Sequence, residues 1–177
     1  MKSVPIKTKK YPSFFGCWDQ FYMTMAHLVA MKSKDPNTKV GSVIVGRRNN
    51  FVSLGFNGLP RGVKDDLPER SERPEKYFWY AHAERNSIYN AAKDLEGCRL
   101  YTQFPPCTDC AIAIIQSGIS EVIVMKSTHH SKKWEVCSRS LQMFKEAGVK
   151  YRLYDPKKSG PIIKEIVRIC DGIEEEI

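Results

Sequence analysis

Apolar residues recur at helical spacing near the start of the chain. Their three- and four-residue period predicts a helix that Ser13 caps and that continues to about Lys32. The apolar stripe of this helix is predicted to lie in the core and consists of Phe14, Trp18, Phe21, Tyr22, Met25, Leu28 and Val29. The turn-forming sequence at 35–37 ends the helix.

A β-hairpin is predicted next. The segments 40–45 and 51–54 are rich in β-branched and other apolar residues, and the polar residues 47–50 between them favour a turn. The following segment, 56–77, is rich in glycine, proline and charge. We predict a functional loop there, because loops of this length inside compact domains are commonly functional.

Helical and strand patterns alternate in the rest of the chain. Helices are predicted at 82–95, 108–117, 133–147 and 161–170, and strands at 99–102, 121–125 and 149–153. This alternation implies a largely parallel sheet covered by helices on both faces. We therefore predict an α/β fold with three layers, α/β/α, and a mixed sheet of about five strands. Ile112, Ile114, Ile115 and the strand segment 122–124 are expected to be buried.

Length and composition indicate one globular domain. The chain has 177 residues, of which 42% are hydrophobic and 11% aromatic, enough to build a single core. The ends differ in charge from the rest, so we predict a basic arm at 1–12, a domain at 13–172 and an acidic tail at 173–177.

Net charge and cysteine content indicate which kind of partner the protein binds and in which cellular compartment it is located. The formal net charge of +8 favours a partner that bears phosphate or an anionic surface. The sequence lacks the apolar run of a secretory signal or of a membrane span. Because six cysteines in a chain of this size without an export signal are typical of a reducing compartment, we predict a cytoplasmic protein with mostly free thiols.

Two short motifs have the spacing of metal ligands. His82 and Glu84 open one predicted helix, and Cys107 and Cys110 open another, 25 residues further on. Two cysteines separated by two residues can reach one ion from the first turn of a helix, and a histidine at this distance completes a set of three. The spacing predicts a zinc site. Helix N-termini also favour thiolate and hydroxide, because they carry partial positive charge.

The number of ligands decides between a catalytic and a structural zinc site. Three protein ligands leave one position for a water molecule, whose pKa zinc lowers toward about 7. A closed structural site needs a fourth ligand, for which Cys98, Cys17 and Cys137 are the alternatives. With an open site, Glu84 can reach the water and shuttle protons, whereas on its own it would be an acid that interacts with the helix dipole.

These motifs resemble those of the zinc-dependent cytidine and deoxycytidylate deaminases. The segments 33–41 and 55–62 are similar to deoxycytidylate (dCMP) deaminases in particular. The resemblance implies the cytidine-deaminase-like α/β/α fold and one zinc ion per chain, held by His82, Cys107 and Cys110. It also implies that Glu84 is the catalytic proton shuttle and that Asn57 and Ala83 contact the substrate.

The implied reaction is hydrolysis of dCMP to dUMP and ammonia, which supplies dUMP for thymidylate synthesis. Lys34, Lys39 and Arg61 flank the matched motifs and are candidates for binding phosphate or a regulatory nucleotide. Resemblance to this family further implies a homo-oligomer, hexamer or dimer, with dCTP and dTTP as allosteric effectors together with Mg²⁺. Arg85 and the altered glycine-asparagine-glycine loop around Asn57 depart from the familiar regulated members.

Two other functions share part of this evidence. A deaminase acting on a base in tRNA or in single-stranded nucleic acid would carry the same zinc motif, and positive charge would help it bind phosphates. The nucleotide-type segment 58–62 favours a free nucleotide instead, and a membrane partner is not expected. A zinc-stabilised binding module without catalysis would need a fourth protein ligand and no Glu84.

Overall fold

The computed structural model describes residues 15–126 and 134–155, with the backbone alone at 134–136. The predicted basic arm, the helix at 161–170 and the acidic tail lie outside these residues. The elements are, in order, α1 (Trp18–Ala30), β1 (Gly41–Val45), β2 (Phe51–Phe56), a 3₁₀ helix (Pro68–Arg70), α2 (Lys76–Trp79), α3 (Ala83–Tyr89), β3 (Arg99–Thr102), α4 (Thr108–Gln116), β4 (Glu121–Met125), α5 (Trp134–Ala147) and β5 (Lys150–Tyr154). None of the helices in these ranges has the length and apolar character needed to cross a bilayer.

The described strands form one sheet in the order β2-β1-β3-β4-β5. β1 runs antiparallel to both β2 and β3, whereas β3, β4 and β5 are parallel to one another. The predicted mixed five-stranded sheet is therefore confirmed. The antiparallel pairing of β1 with β2 is the predicted hairpin, and the expectation of parallel strands after it holds for β3, β4 and β5. The antiparallel pairing of β1 with β3 was not predicted.

Helices cover both faces of the sheet. On one face, α1 packs through Tyr22 and Met23 against a cluster that includes Val43 and Ile123. On the other face, α4 and α5 contribute to a second cluster that includes Ile44 of β1. Neighbouring residues of a strand point to opposite faces, which is why β1 supplies both clusters. This arrangement confirms the three-layer α/β/α architecture.

The first helix differs from its prediction in its start and in its buried face. It begins at Trp18, so residues 15–17 precede it, and Ser13 lies outside the described residues. Trp18 and Leu28 of the predicted core stripe are each 52% exposed, whereas Met23 and Ala26 are buried. The apolar residues spread around more of the helix than one sheet face can cover. Ile112 on α4 is 49% exposed for the same reason.

The third helix ends at Tyr89, six residues before the predicted end. Asn90 follows it, and its side-chain amide donates a hydrogen bond to the carbonyl of Leu54 on β2. This contact ties the helix end to the hairpin, and the chain leaves the helix there. The predicted loop at 56–77 holds the 3₁₀ helix and the start of α2, two short elements without enough periodicity to be predicted.

Acidification is expected to destabilise the protein through His27. This residue of α1 is 4% exposed, and burial lowers its pKa from 6.5 to about 4. Between these two pH values the unfolded chain binds a proton that the folded chain does not bind, so stability decreases as the pH falls. The expected loss of unfolding free energy between pH 7 and pH 4 is about 3 kcal/mol.

Urea unfolding of the wild type and of His27→Gln measures this effect. Protonation of metal ligands affects both proteins, so the difference between them isolates His27. Equal losses of stability in the two proteins over this pH range would contradict the prediction.

Candidate functional site

Two helix N-termini meet near the carboxyl end of β3. His82 is the N-cap residue of α3 and Cys107 is the N-cap residue of α4, each with an extended backbone. Neither side chain makes a capping hydrogen bond to its own helix. Cys110 follows in the first turn of α4 and is fully buried. The three side chains are thus free to face one another.

The distances among these three side chains fit a tetrahedral zinc ion. Nδ1 of His82 lies 3.3 Å from Sγ of Cys107 and 3.4 Å from Sγ of Cys110. A nitrogen and a sulfur bound to one tetrahedral zinc ion are about 3.6 Å apart, given the usual bond lengths. All three ligand atoms lie within 4.8 Å of one another. His82, Cys107 and Cys110 are therefore positioned to bind a metal ion, as predicted.

The protonation of the two thiols also favours a cation at this place. Hydrogen bonds from Cys110 and His82 lower the pKa of Cys107 to about 3, so Cys107 is a thiolate. The hydrogen bond to this thiolate, together with burial, raises the pKa of Cys110. Without a metal ion, the two neighbouring sulfur atoms favour one thiolate and one thiol. A bound divalent cation stabilises two thiolates, because metal ligation deprotonates both cysteines.

Glu84 lies beside the three ligands without being one of them. It is in the first turn of α3, is 4% exposed, and its Oε2 is 3.7 Å from Sγ of Cys110. Burial raises the pKa of its carboxyl group, which favours the protonated form more than in water. A carboxyl group with this environment can both accept and donate protons next to the metal position.

A glycine allows α3 to lie directly against the hairpin. A Cβ atom at Gly55 would lie 2.2 Å from the backbone nitrogen of Ser87, which is far inside van der Waals contact. The side-chain amide of Asn86 donates a hydrogen bond of 2.7 Å to the carbonyl of Phe56. These contacts with β2 fix the helix that carries Glu84.

The cysteines considered as a fourth ligand lie elsewhere. Cys98 is buried in the core just before β3, and Cys17 is exposed before α1. Sγ of Cys137 lies 3.7 Å from the carbonyl oxygen of Pro105. Within residues 15–126 and 134–155, none of them joins the group of three ligands. A set of three ligands is typical of catalytic zinc, which keeps one coordination position open.

The two residues predicted to contact the substrate have different surroundings. Ala83 is buried at the start of α3, where backbone N–H groups have no acceptor within the helix. The amide of Asn57 donates to Asp35 and to the carbonyl of Thr38, and it accepts from the N–H of Val40, each at 2.8 Å. Both substrate contacts stay predictions.

The basic residues predicted to bind phosphate have separate environments. Lys34 forms an exposed ion pair and lines a cleft of about 600 Å³ together with Arg73. Lys39 is half-buried. Arg61 donates to Asn90 at the carboxyl end of α3, the end opposite the metal ligands. Lys34 and Arg61 thus have different side-chain partners, and their role in phosphate binding stays a prediction.

A buried ion pair near the site is not evident from the sequence. Nζ of Lys76 lies 2.5 Å from the carboxylate of Asp35, and both residues are buried. Asp35 has the sequence context of a turn residue, and Lys76 stands before four aromatic residues. The two lie 41 positions apart, so no local pattern links them.

Together, the three-layer fold, the ligand set of one histidine and two cysteines, and the adjacent buried glutamate define a zinc-dependent hydrolytic deaminase. Comparison with known proteins agrees. Residues 17–126 match the family described as the cytidine and deoxycytidylate deaminase zinc-binding region. The chain belongs to the cytidine and deoxycytidylate deaminase family.

Individual relatives cover most of the chain. It is 41% identical over 152 residues to the deoxycytidylate deaminases of mouse and of human, which is 82% of this chain and 84% of each relative. The fold is also similar to that of a dCMP deaminase from the cyanophage S-TIM5, solved with dCMP and dUMP. That comparison has a TM-score of 0.60 at 23% identity and covers 76% of this chain and 95% of the phage protein. The predicted family resemblance, fold and zinc-dependent deaminase chemistry are confirmed.

Proposed function

We propose that this protein hydrolyses dCMP to dUMP and ammonia. The observation that carries the proposal is the buried carboxyl group of Glu84 beside the three metal ligands. The curated relatives named deoxycytidylate deaminase extend over most of the chain and support the choice of substrate. One water molecule adds to C4 of the cytosine ring, and the amino group on that carbon leaves as ammonia.

The three metal ligands and Glu84 have separate roles in this reaction. His82, Cys107 and Cys110 would hold the zinc ion, which when bound would supply Lewis-acid activation of the attacking water. Glu84 takes one proton from this water and delivers it to the ring nitrogen, and then takes the second proton of the added water and delivers it to the amino group, which leaves as ammonia. Its raised pKa suits both the basic and the acidic step, because the carboxyl group must bind and release the proton in turn.

Two polar groups are proposed to orient the base and the sugar. The backbone N–H groups at the start of α3, including that of Ala83, have no acceptor within the helix and can donate to the nucleotide. Asn57 uses both amide hydrogens within the protein, and its Oδ1 keeps one further lone pair. Asn57 can therefore accept a hydrogen bond from the substrate but has no donor left to offer.

The phosphate of the nucleotide is proposed to bind a basic side chain. Lys34 and Arg73 line the same open cleft, whereas Arg61 donates a hydrogen bond to Asn90. Lys39 stays a candidate. Regulation by dCTP and dTTP with Mg²⁺ is likewise part of the proposal, since the effectors carry the same phosphate chemistry as the substrate.

The single 5′-phosphate is expected to decide substrate preference. A charged hydrogen bond contributes about 1.5–3 kcal/mol, so kcat/KM for deoxycytidine should be about ten- to a hundredfold lower than for dCMP. Ammonia release is measured for dCMP, deoxycytidine, a cytosine-containing oligonucleotide and tRNA in one buffer of fixed salt concentration. If the nucleoside equals dCMP, or if a polynucleotide exceeds both, the dCMP assignment fails and the polynucleotide deaminase replaces it.

The protein is also proposed to form a homo-oligomer. Tyr77 and Phe78 on α2 and Tyr89 on α3 are 64%, 81% and 67% exposed. Exposed aromatic residues of this size are typical of protein interfaces, and the family resemblance favours a second copy of this chain as the partner. Light scattering tests the mass in solution, and Phe78→Asp is expected to lower it. A monomeric wild type would contradict the proposal.

A cytoplasmic location is part of the same proposal. Cys17 and Cys98 have free thiols, and Cys17 is exposed. Free thiols are typical of proteins in a reducing compartment.

A further inference from the structure

Asp35 is the centre of a buried polar cluster that the proposed reaction does not use directly. Its side chain is fully buried and pairs with Nζ of Lys76 at 2.5 Å. The same carboxylate accepts hydrogen bonds from Asn57 Nδ2 and from the backbone N–H groups of Asn37 and Thr38. Asp35 thus has a partner in each of three chain segments: its own turn, the start of the loop after β2, and α2.

This cluster is continuous with the metal site through the backbone. Gly58, which follows Asn57, exchanges two backbone hydrogen bonds with Ala81, at 2.9 and 3.1 Å. Ala81 directly precedes the metal ligand His82. Lys76 lies at the start of α2, on the same stretch of chain that leads to His82. Asp35 therefore contacts two chain segments that are hydrogen-bonded to each other. The first contains Asn57 and Gly58, and the second runs from Lys76 to Ala81 and leads to His82.

Stability alone is a poor explanation for this ion pair. The free energy lost when two charges leave water is about as large as the free energy gained from their attraction. A protein with well-packed apolar residues in place of the pair is often as stable. A buried pair does fix geometry, because each charge accepts only a narrow set of partner positions. Here the charge on Asp35 requires a donor from Asn57, which sets the orientation of that amide.

The orientation of the Asn57 amide has a chemical consequence. With Nδ2 directed to Asp35 and to the carbonyl of Thr38, Oδ1 faces the N–H of Val40 and keeps one lone pair. A rotated amide would place Oδ1 against the carboxylate, which is repulsive. Asp35, together with the carbonyl of Thr38 and the N–H of Val40, thereby determines that Asn57 presents an acceptor to the nucleotide.

We propose that Lys76 and Asp35 are positioning residues, which orient Asn57 for substrate binding and hold the chain segment that leads to His82. This inference rests on the proposed function, because it assigns Asn57 to the nucleotide. Lys76 acts through Asp35 and Asn57 and does not touch the reacting atoms. Its replacement is expected to weaken substrate binding more than the chemical step.

Steady-state kinetics on dCMP tests this inference with three variants. Lys76→Met is expected to raise KM about tenfold with kcat changed less than threefold and with zinc retained, because one oriented hydrogen bond is lost. Lys76→Arg keeps a cation that can reach Asp35 and should recover most of the affinity. Lys150→Met is the matched control, since Lys150 forms an exposed ion pair with Glu121 at the opposite end of the sheet and its loss should leave KM unchanged.

Hydrogen exchange gives a second readout that does not depend on activity. The backbone amides of Gly58 and Ala81 should exchange at least tenfold faster in Lys76→Met, while that of Tyr101 in the sheet stays unchanged. An unchanged KM together with unchanged exchange overturns the inference, and so does an equal rise of KM in Lys150→Met. If Lys76→Met does not fold, Lys76→Gln, which keeps an uncharged donor, takes its place in both measurements.

The two readouts separate this inference from the proposed function. A wild type that does not deaminate dCMP refutes the proposed function. The exchange rates of Gly58 and Ala81 then still decide whether Lys76 holds the segment before His82.

Discussion

Glu84→Ala is expected to abolish most turnover of dCMP while zinc stays bound. A general acid–base group contributes about 10²–10⁴-fold to the rate, and Glu84 serves more than one proton transfer in the proposed reaction. The residue is not among the three metal ligands, so its loss should leave the zinc content at one ion per chain. Turnover by ammonia release and zinc by metal analysis are measured on the same preparation.

Two further variants make this prediction specific. Glu84→Gln keeps the volume of the buried side chain and should lose activity to a similar extent, because an amide cannot shuttle the proton. Glu69→Gln changes an exposed glutamate in the 3₁₀ helix and should keep full activity. Near-normal activity in either Glu84 variant would refute the proton-transfer role.

Cys107→Ala and Cys110→Ala are each expected to lose the zinc ion and all measurable activity. Two remaining ligands cannot hold the ion in the tetrahedral set that three ligands and a water provide. Metal binding also contributes to folding free energy, so the unfolding temperature of both variants should decrease. Metal analysis and thermal unfolding check the two effects on the same samples.

Cys17→Ser is the control for the loss of a thiol. Cys17 is exposed before α1 and is not part of the ligand group. This variant should keep one zinc ion per chain and its activity. Full zinc occupancy without Cys107 or Cys110, or two zinc ions per wild-type chain, would overturn the assignment of the ligands.

The strands β3 and β4 were more predictable than the helices α1 and α3. The segments 99–102 and 121–125 form β3 and β4 with the predicted bounds. Both pack between helices on two faces, and the apolar residues are consecutive: Leu100 and Tyr101 in β3, and 122–125 in β4. α1 was less predictable, because packing against the sheet determines which part of an apolar helix is buried. α3 was less predictable, because Asn90 ends it through a contact with β2.

The ligands of the candidate site were predictable for a different reason. Cys107 and Cys110 lie in one turn, and the residue types needed for zinc are uncommon enough to stand out at this spacing. Glu84 stands two positions from His82, so the same short motif identified it. Local sequence was sufficient to identify these residues, because each of the two motifs lies within the first turn of one helix.

The sequence by itself determined the longer helices and the strands of the described residues, which residue types can hold the metal, and which glutamate accompanies them. Only the tertiary structure decided that β1 lies antiparallel to β3, that α3 presses on Gly55, and that Lys76 pairs with Asp35. Periodicity and motif spacing depend on neighbours within one or two helical turns. Strand partners, helix faces and buried ion pairs join residues tens of positions apart, and the free energy that selects them comes from packing of the whole domain.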